Sequence, residues 1–214
     1  MINNHHYRHN TATCFFFNKN IKIGILGGSF DPPHVGHIHI SLIALKRLKL
    51  DKIWWLVTPQ NRLKKNNIKN TFQNRLQKAR EFTKNTKKIT VLDIEYKNKL
   101  SSSYKTMRFI KKKTQKTKFV WIMGSDNLEN FHQWLKPKLI SKIFPVAVIE
   151  RPSYSYRVLN CIGASILGKR LKNLNKNSKY FLTKPRPSPR FAPVIRIFVI
   201  LYPYSFVVTY DTPL

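Results

Sequence analysis

Short apolar runs recur along this chain at intervals filled with helix-type sequence, and that alternation leaves little choice of architecture. Residues 21–26, 53–58, 89–94, 119–123 and 146–149 are each brief, rich in branched or aromatic residues, and bounded by loop residues, as buried strands are. Between them, residues 38–50 carry Ile38, Leu42, Leu45 and Leu48 on one helical face, and residues 71–86 and 103–113 also read as helices. Strands alternating with helices predict an α/β fold built on a doubly wound parallel sheet with right-handed crossovers. A length of 214 residues suits one such domain, expected over residues 21–184 after a disordered extension at 1–20.

Ligands of open α/β sheets bind outside the carboxyl ends of the strands, so the unusual residues should gather just after the apolar runs. They do: Gly27 to His37 follow the first run, Pro59-Gln60-Asn61 the second, Glu95 the third, Gly124-Ser125-Asp126 the fourth and Arg151-Pro152 the fifth. In the first of these, Gly27 and Gly28 let backbone approach a ligand, and Pro32-Pro33 stiffens the entry to the next helix. A helix start offers unpaired N–H groups and a partial positive charge suited to phosphate. His34 and His37, three residues apart, can turn their rings toward one phosphate group there, with Gly36 leaving room for the nucleotide.

The run Gly28-Ser29-Phe30-Asp31-Pro32-Pro33-His34-Val35-Gly36-His37 resembles the His-x-Gly-His signature of adenylyl- and cytidylyltransferases, in the form found in bacterial nicotinate-nucleotide adenylyltransferases. Three further stretches are similar to that family: residues 57–64, with Arg62 where Pro is usual; Met123-Gly124-Ser125-Asp126-Asn127-Leu128 followed by Phe131 and Trp134; and Glu150-Arg151-Pro152-Ser153-Tyr154, with Ser153 in place of Gly. Ser103 and Thr106 resemble its helix-starting hydroxyl pair, although Ser103 reads equally well as a helix N-cap. The resemblance implies a Rossmann-like fold and transfer of an adenylyl group from ATP to nicotinic acid mononucleotide, with Mg²⁺ accompanying the ATP. It implies His34 and His37 as catalytic residues, with Gly27, Gly28, Ser29, Phe30 and Gly36 beside them at ATP. Asp31, Asn61, Lys64, Ser103, Thr106, Gly124, Asp126, Trp134 and Arg151 fall to the mononucleotide, Trp134 by stacking on its pyridine ring.

The resemblance fades after Lys184. Lys and Asn vanish there, and residues 185–214 are rich in Pro, aromatics and branched aliphatics, with no equivalent of the family's second phosphate-gripping helix start. A shifted reading frame accounts best for this atypical tail and implies weakened or absent activity. The alternatives are a membrane-touching segment, for which about 14 residues broken by Pro203 are too short to span, or a strand pair completing the core. Forty Lys and Arg against nine Asp and Glu, a formal charge of +31, suit phosphate-bearing ligands, but no nucleic-acid-binding motif accompanies the charge. Neither nucleic acid nor membrane is expected as a partner. Cys14 and Cys161 have no paired spacing, and residues 1–20 lack a signal-peptide core, both pointing to a reducing cytosol. His5, His6 and His9 read as polar terminal chain. Rival functions are adenylyl transfer to pantetheine phosphate or FMN, against which Trp134 and the Gly-Ser-Asp spacing argue, and an inactive nucleotide- or nucleic-acid-binding remnant.

Overall fold

The computed structural model describes residues 21–59, 69–114, 116–149, 161–167 and 197–200. Its strands, β1 (Lys22–Gly28), β2 (Lys52–Val57), β3 (Ile89–Leu92), β4 (Lys118–Gly124), β5 (Val146–Ile149) and β6 (Ile197–Ile200), form one sheet in the order β3-β2-β1-β4-β5-β6. The first five are parallel throughout, and β6 adds an antiparallel edge, Val146 facing Ile200 and Ile149 facing Ile197. Order reverses between β1 and β4, so the crevice above their carboxyl ends is where a ligand site belongs. β6 is the described part of the atypical tail, and it departs from the all-parallel expectation.

Side-chain alternation explains the two layers. On β2, Trp54 and Leu56 enter one core cluster while Ile53, Trp55 and Val57 enter the other. The first cluster is closed by α4 (Ser103–Lys113), α5 (Ser125–Glu129), α6 (Pro137–Ile143) and α7 (Ile162–Leu167), the second by α1 (Val35–Arg47) and α2 (Phe72–Thr83). Trp54, Trp55 and Trp121 are almost wholly buried; each removes about 150–250 Å² from water, roughly 4–6 kcal/mol of gross hydrophobic stabilisation before entropy is charged against it. A short α3 (Ile94–Lys97) follows β3 directly, so that run ends two residues earlier than expected.

Helix α1 begins three residues before the expected start and buries most of the expected stripe, since Ile38, Leu45 and Leu48 pack on the core and Leu42 does not. Ile40, Ser41, Ala44 and Leu45 face the sheet, whereas Leu42 is 48% exposed and Leu48 is the C-cap. The reason is its polar anchor: Ser41 Oγ donates to the His37 carbonyl at 2.8 Å and accepts the buried Trp55 Nε1–H at 2.9 Å, which turns that side of the helix inward. For α4, the N-cap is Ser102, whose hydroxyl accepts the Lys105 N–H at 3.4 Å, and Ser103 is the first helical residue.

Candidate active site

A cavity of about 740 Å³ opens above the carboxyl ends of β1 and β4. Its walls come from the glycine turn after β1, the start of α1, Thr58 after β2, Glu95 in α3, residues 101–105 at the start of α4, and Gly124 to Asn127 with Gln133, Trp134 and Leu135 beyond β4. That volume suits a ligand of nucleotide size.

The turn is built tightly. Gly27 lies against Trp121, whose ring carbons would stand 2.9 and 3.1 Å from a Cβ placed there, closer than packed carbons tolerate. Phe30 holds a left-handed backbone, φ 49°, at a position where Cβ makes that conformation costly. Its ring is buried, stacked at 4.6 Å on Trp55 and 4.8 Å from the His37 ring. Phe30 therefore lines the cavity as a buried prop packed against His37. The Asp31–Pro32 peptide is cis.

His34 is the N-cap of α1, and its ring centroid lies 3.9 Å from that of His37. Both rings line the same cavity, as the three-residue spacing predicts. The His34 N–H donates to His37 Nδ1 at 3.2 Å. A ring nitrogen that accepts an N–H carries no proton, so neutral His37 keeps its hydrogen on Nε2 and can donate from there. Gly36 serves His34: a Cβ at that position would fall 3.0 Å from the His34 ring atoms Cε1 and Nδ1, so the room it leaves is taken by imidazole.

Asp31 borders the cavity, but its carboxylate is engaged by the protein. Oδ2 accepts the N–H groups of Lys69 at 2.7 Å and Asn70 at 3.2 Å, and Oδ1 accepts the Asn70 amide. Burial pushes the Asp31 carboxyl up, but the Asn70 and Lys69 hydrogen bonds and the Arg75 charge outweigh it and hold the group below the usual carboxylate range. Arg75, on α2 and 1% exposed, ties the same region together. Its guanidinium donates to the carbonyls of Ser29, Thr58 (2.9 Å), Pro59 (2.8 Å) and Asn70 (3.3 Å).

At the other end, Trp134 is partly buried, edge-on to Trp121 at 6.4 Å and 5.2 Å from Phe131. Gly124, the N-cap of α5, and Asp126 in its first turn join it on the wall. Of the residues expected at the mononucleotide, Asp31, Ser103, Gly124, Asp126 and Trp134 share this cavity. Thr106 does not; it is fully buried behind the wall, its hydroxyl within bonding reach of Glu95 Oε1 and the Ser102 carbonyl. Asn61, Lys64 and Arg151 lie outside the described residues. Trp121 and Ser102 also line the cavity, Arg75 braces its wall from behind through the Thr58 carbonyl, and Glu95, which the sequence marks only by its place after a strand, supplies a buried carboxyl. Among the described residues no helix is long and apolar enough to cross a membrane.

A glycine turn feeding two imidazoles into a helix start, at the reversal point of a parallel sheet, defines a nucleotide-binding α/β protein of the nucleotidyl-transfer kind. The cytidylyltransferase-like family model matches residues 25–201. A protein named probable nicotinate-nucleotide adenylyltransferase from Bradyrhizobium sp. (strain ORS 278) is 41% identical over 150 residues, 70% of this chain and 77% of that one. Its namesake from Ruegeria sp. (strain TM1040) is 44% identical over 132 residues, 62% of this chain and 69% of the relative. In fold, the chain is similar to the Plasmodium falciparum nicotinic acid mononucleotide adenylyltransferase solved with NaAD, at a TM-score of 0.52 and 19% identity, covering 68% of this chain and 82% of that one. The chain belongs to the cytidylyltransferase-like family and, within it, to the nicotinate-nucleotide adenylyltransferases.

Proposed function

We propose that the chain transfers the adenylyl group of ATP to nicotinic acid mononucleotide, forming deamido-NAD and pyrophosphate in NAD biosynthesis. The observation that carries the reading is the pair of imidazoles 3.9 Å apart at the start of α1, in one cavity with Trp134 and Asp126. The mononucleotide phosphate is the nucleophile. One of its oxygens forms the new bond to the α-phosphorus of ATP while the bond to the bridging oxygen of the leaving pyrophosphate breaks. That phosphate is already ionised near neutral pH, so the site needs no strong base; its task is to hold two anions in line and neutralise the charge that builds on the phosphoryl oxygens.

His34 and His37 supply hydrogen bonds to those oxygens, His37 from Nε2 because His34 N–H occupies Nδ1. The amide groups of α1's first turn add a fixed partial positive charge. On the far wall Trp134 offers an indole face to the pyridine ring, and the Ser102 and Ser103 hydroxyls border the same space. Mg²⁺ enters as part of the ATP substrate and offsets phosphate charge; the small hard ion is commonly held through substrate phosphates.

The test is a pyrophosphate-release assay offering ATP with nicotinic acid mononucleotide, nicotinamide mononucleotide, pantetheine phosphate or FMN. Turnover greatest with nicotinic acid mononucleotide supports the reading. Turnover confined to pantetheine phosphate or FMN, or none with any acceptor, refutes it.

A further inference from the structure

Between the glycine turn and the start of α4, the cavity is bordered by a carboxyl group that the phosphoryl-transfer scheme leaves unused. Glu95, in the first turn of α3, is only 4% exposed. Its Oε1 accepts the Thr106 hydroxyl at 2.9 Å, and the Thr58 side chain hydrogen-bonds the same carboxylate. These threonines belong to different walls. Thr58 follows β2, donates its N–H to the Gly28 carbonyl at 2.9 Å and accepts from Arg75 at its own carbonyl. Thr106 lies in α4, directly behind residues 101–105 that face the cavity. One carboxyl thus joins the phosphate-turn wall to the α4 wall.

Thr106 Oγ1 has one hydrogen and two acceptors in reach, Glu95 Oε1 at 2.9 Å and the Ser102 carbonyl at 3.0 Å. An ionised Glu95 takes that hydrogen. A protonated Glu95 donates to Thr106 instead and releases the threonine's hydrogen to Ser102, the N-cap of α4 on the cavity wall. Each state is hydrogen-bonded, but they treat the start of α4 differently.

We propose that Glu95 is a positioning residue for the mononucleotide half of the site, setting through Thr58 and Thr106 how the start of α4 stands relative to the glycine turn. The inference rests on the functional reading above, in which the mononucleotide lies against residues 101–105 and Trp134. Burial pushes the Glu95 carboxyl up to about 7 against the two threonine hydrogen bonds, so both arrangements are populated near neutrality. The other ionisable side chains on the cavity wall are Asp31, His34, His37, Lys105, Tyr104 and Asp126. At the N-cap of α3, Asp93 is engaged by Lys97 at 3.3 Å and Arg80 at 3.7 Å.

The experiment compares the full-length chain with Glu95→Gln, Glu95→Ala and Thr106→Val. Initial rates of pyrophosphate release are measured with ATP and nicotinic acid mononucleotide varied in turn, between about pH 5.5 and 8.5, with Tm recorded alongside. Glu95→Ala should raise KM for the mononucleotide about tenfold and leave KM for ATP within about twofold. Glu95→Gln, which keeps an acceptor but cannot ionise, should retain most of the affinity. Its mononucleotide KM relative to wild type should change with pH around 7, a ratio that cancels titration of the substrate's own phosphate. Unchanged mononucleotide KM in both variants overturns the proposal, as does a parallel rise in both KM values with a pH-independent ratio. If Glu95→Ala fails to fold, Glu95→Gln and Thr106→Val decide the matter by the same criteria. A wild-type chain that turns over no pyridine mononucleotide overturns the functional reading and this inference with it; an active wild type matched by Glu95→Gln in affinity and pH profile overturns the inference alone.

Discussion

Replacing Arg75 by Met strips four backbone carbonyls of their donor at once. Those of Ser29, Thr58, Pro59 and Asn70 come from the glycine turn, the end of β2 and the entry to α2, and the guanidinium that gathers them is 1% exposed. A hydrogen bond from a charged donor contributes about 1.5–3 kcal/mol, and a buried acceptor left without one costs about 1–3 kcal/mol. The four do not add, because water entering from the cavity can reach some of the carbonyls, so a loss of about 3–5 kcal/mol is expected. For a chain of this size that lowers Tm by roughly 6–20 °C. Turnover well below the melting point should fall on the order of a hundredfold, since Arg75 carries no chemistry but fixes the turn beside the histidines, and displacing that turn by about 1 Å has such an effect. Arg75→Lys keeps the charge but not the planar fork, and should recover part of the stability and little of the rate. Thermal unfolding followed by circular dichroism, with initial rates at a temperature where every variant is folded, makes the comparison. An Arg75→Met chain melting within about 3 °C of wild type with normal turnover would show that Arg75 does not hold the glycine turn in place.

His37→Ala should keep Tm within a few degrees, because the His34 N–H it frees lies at an exposed helix start where water can replace the ring; turnover should fall on the order of a hundredfold or more, and normal activity would remove His37 from the chemistry. Trp134→Ala should raise KM for the mononucleotide about tenfold with little change for ATP, as expected for loss of one aromatic stacking surface; equal effects on both substrates would reassign it to the core. For Glu95, an acid whose folded value of about 7 lies above the ordinary 4.5, stability is greatest at low pH, falls as pH rises through that interval and levels off above it. Glu95→Gln should remove up to about 3 kcal/mol of that dependence, read from chemical denaturation at several pH values, and an unchanged pH slope would contradict the burial argument.

What the sequence made legible were features whose physics is local. Five strands and the glycine turn follow from short apolar runs and from residues that only a close ligand or a tight bend requires, and they lie within a few residues of their expected ends. The histidine pair was readable because helical spacing alone brings the two residues together. Arg75 was not, since one cation within a polar helix looks like any of forty Lys and Arg until tertiary structure buries it. On α1 only Leu42 departs from the expected inward face, because the Ser41 bridge between Trp55 and the His37 carbonyl, made through a contact fourteen residues away in sequence, turns its own side of the helix to the sheet. Glu95 and Thr106 differ from expectation for the same reason: a threonine three residues after a serine looks like a ligand pair, and only the hydrogen bond between α4 and α3 reveals that its hydroxyl serves a buried carboxyl.

In the proposed reaction two imidazoles and the positive end of α1 grip one triphosphate. The most direct measurement is a crystal structure of the full chain with a non-hydrolysable ATP analogue and Mg²⁺. Phosphate oxygens within about 2.7–3.2 Å of ring nitrogens of both His34 and His37, with backbone N–H groups of α1's first turn beside them, are the predicted result. A triphosphate seated elsewhere in the cavity, or histidine rings turned away from it, would contradict the account.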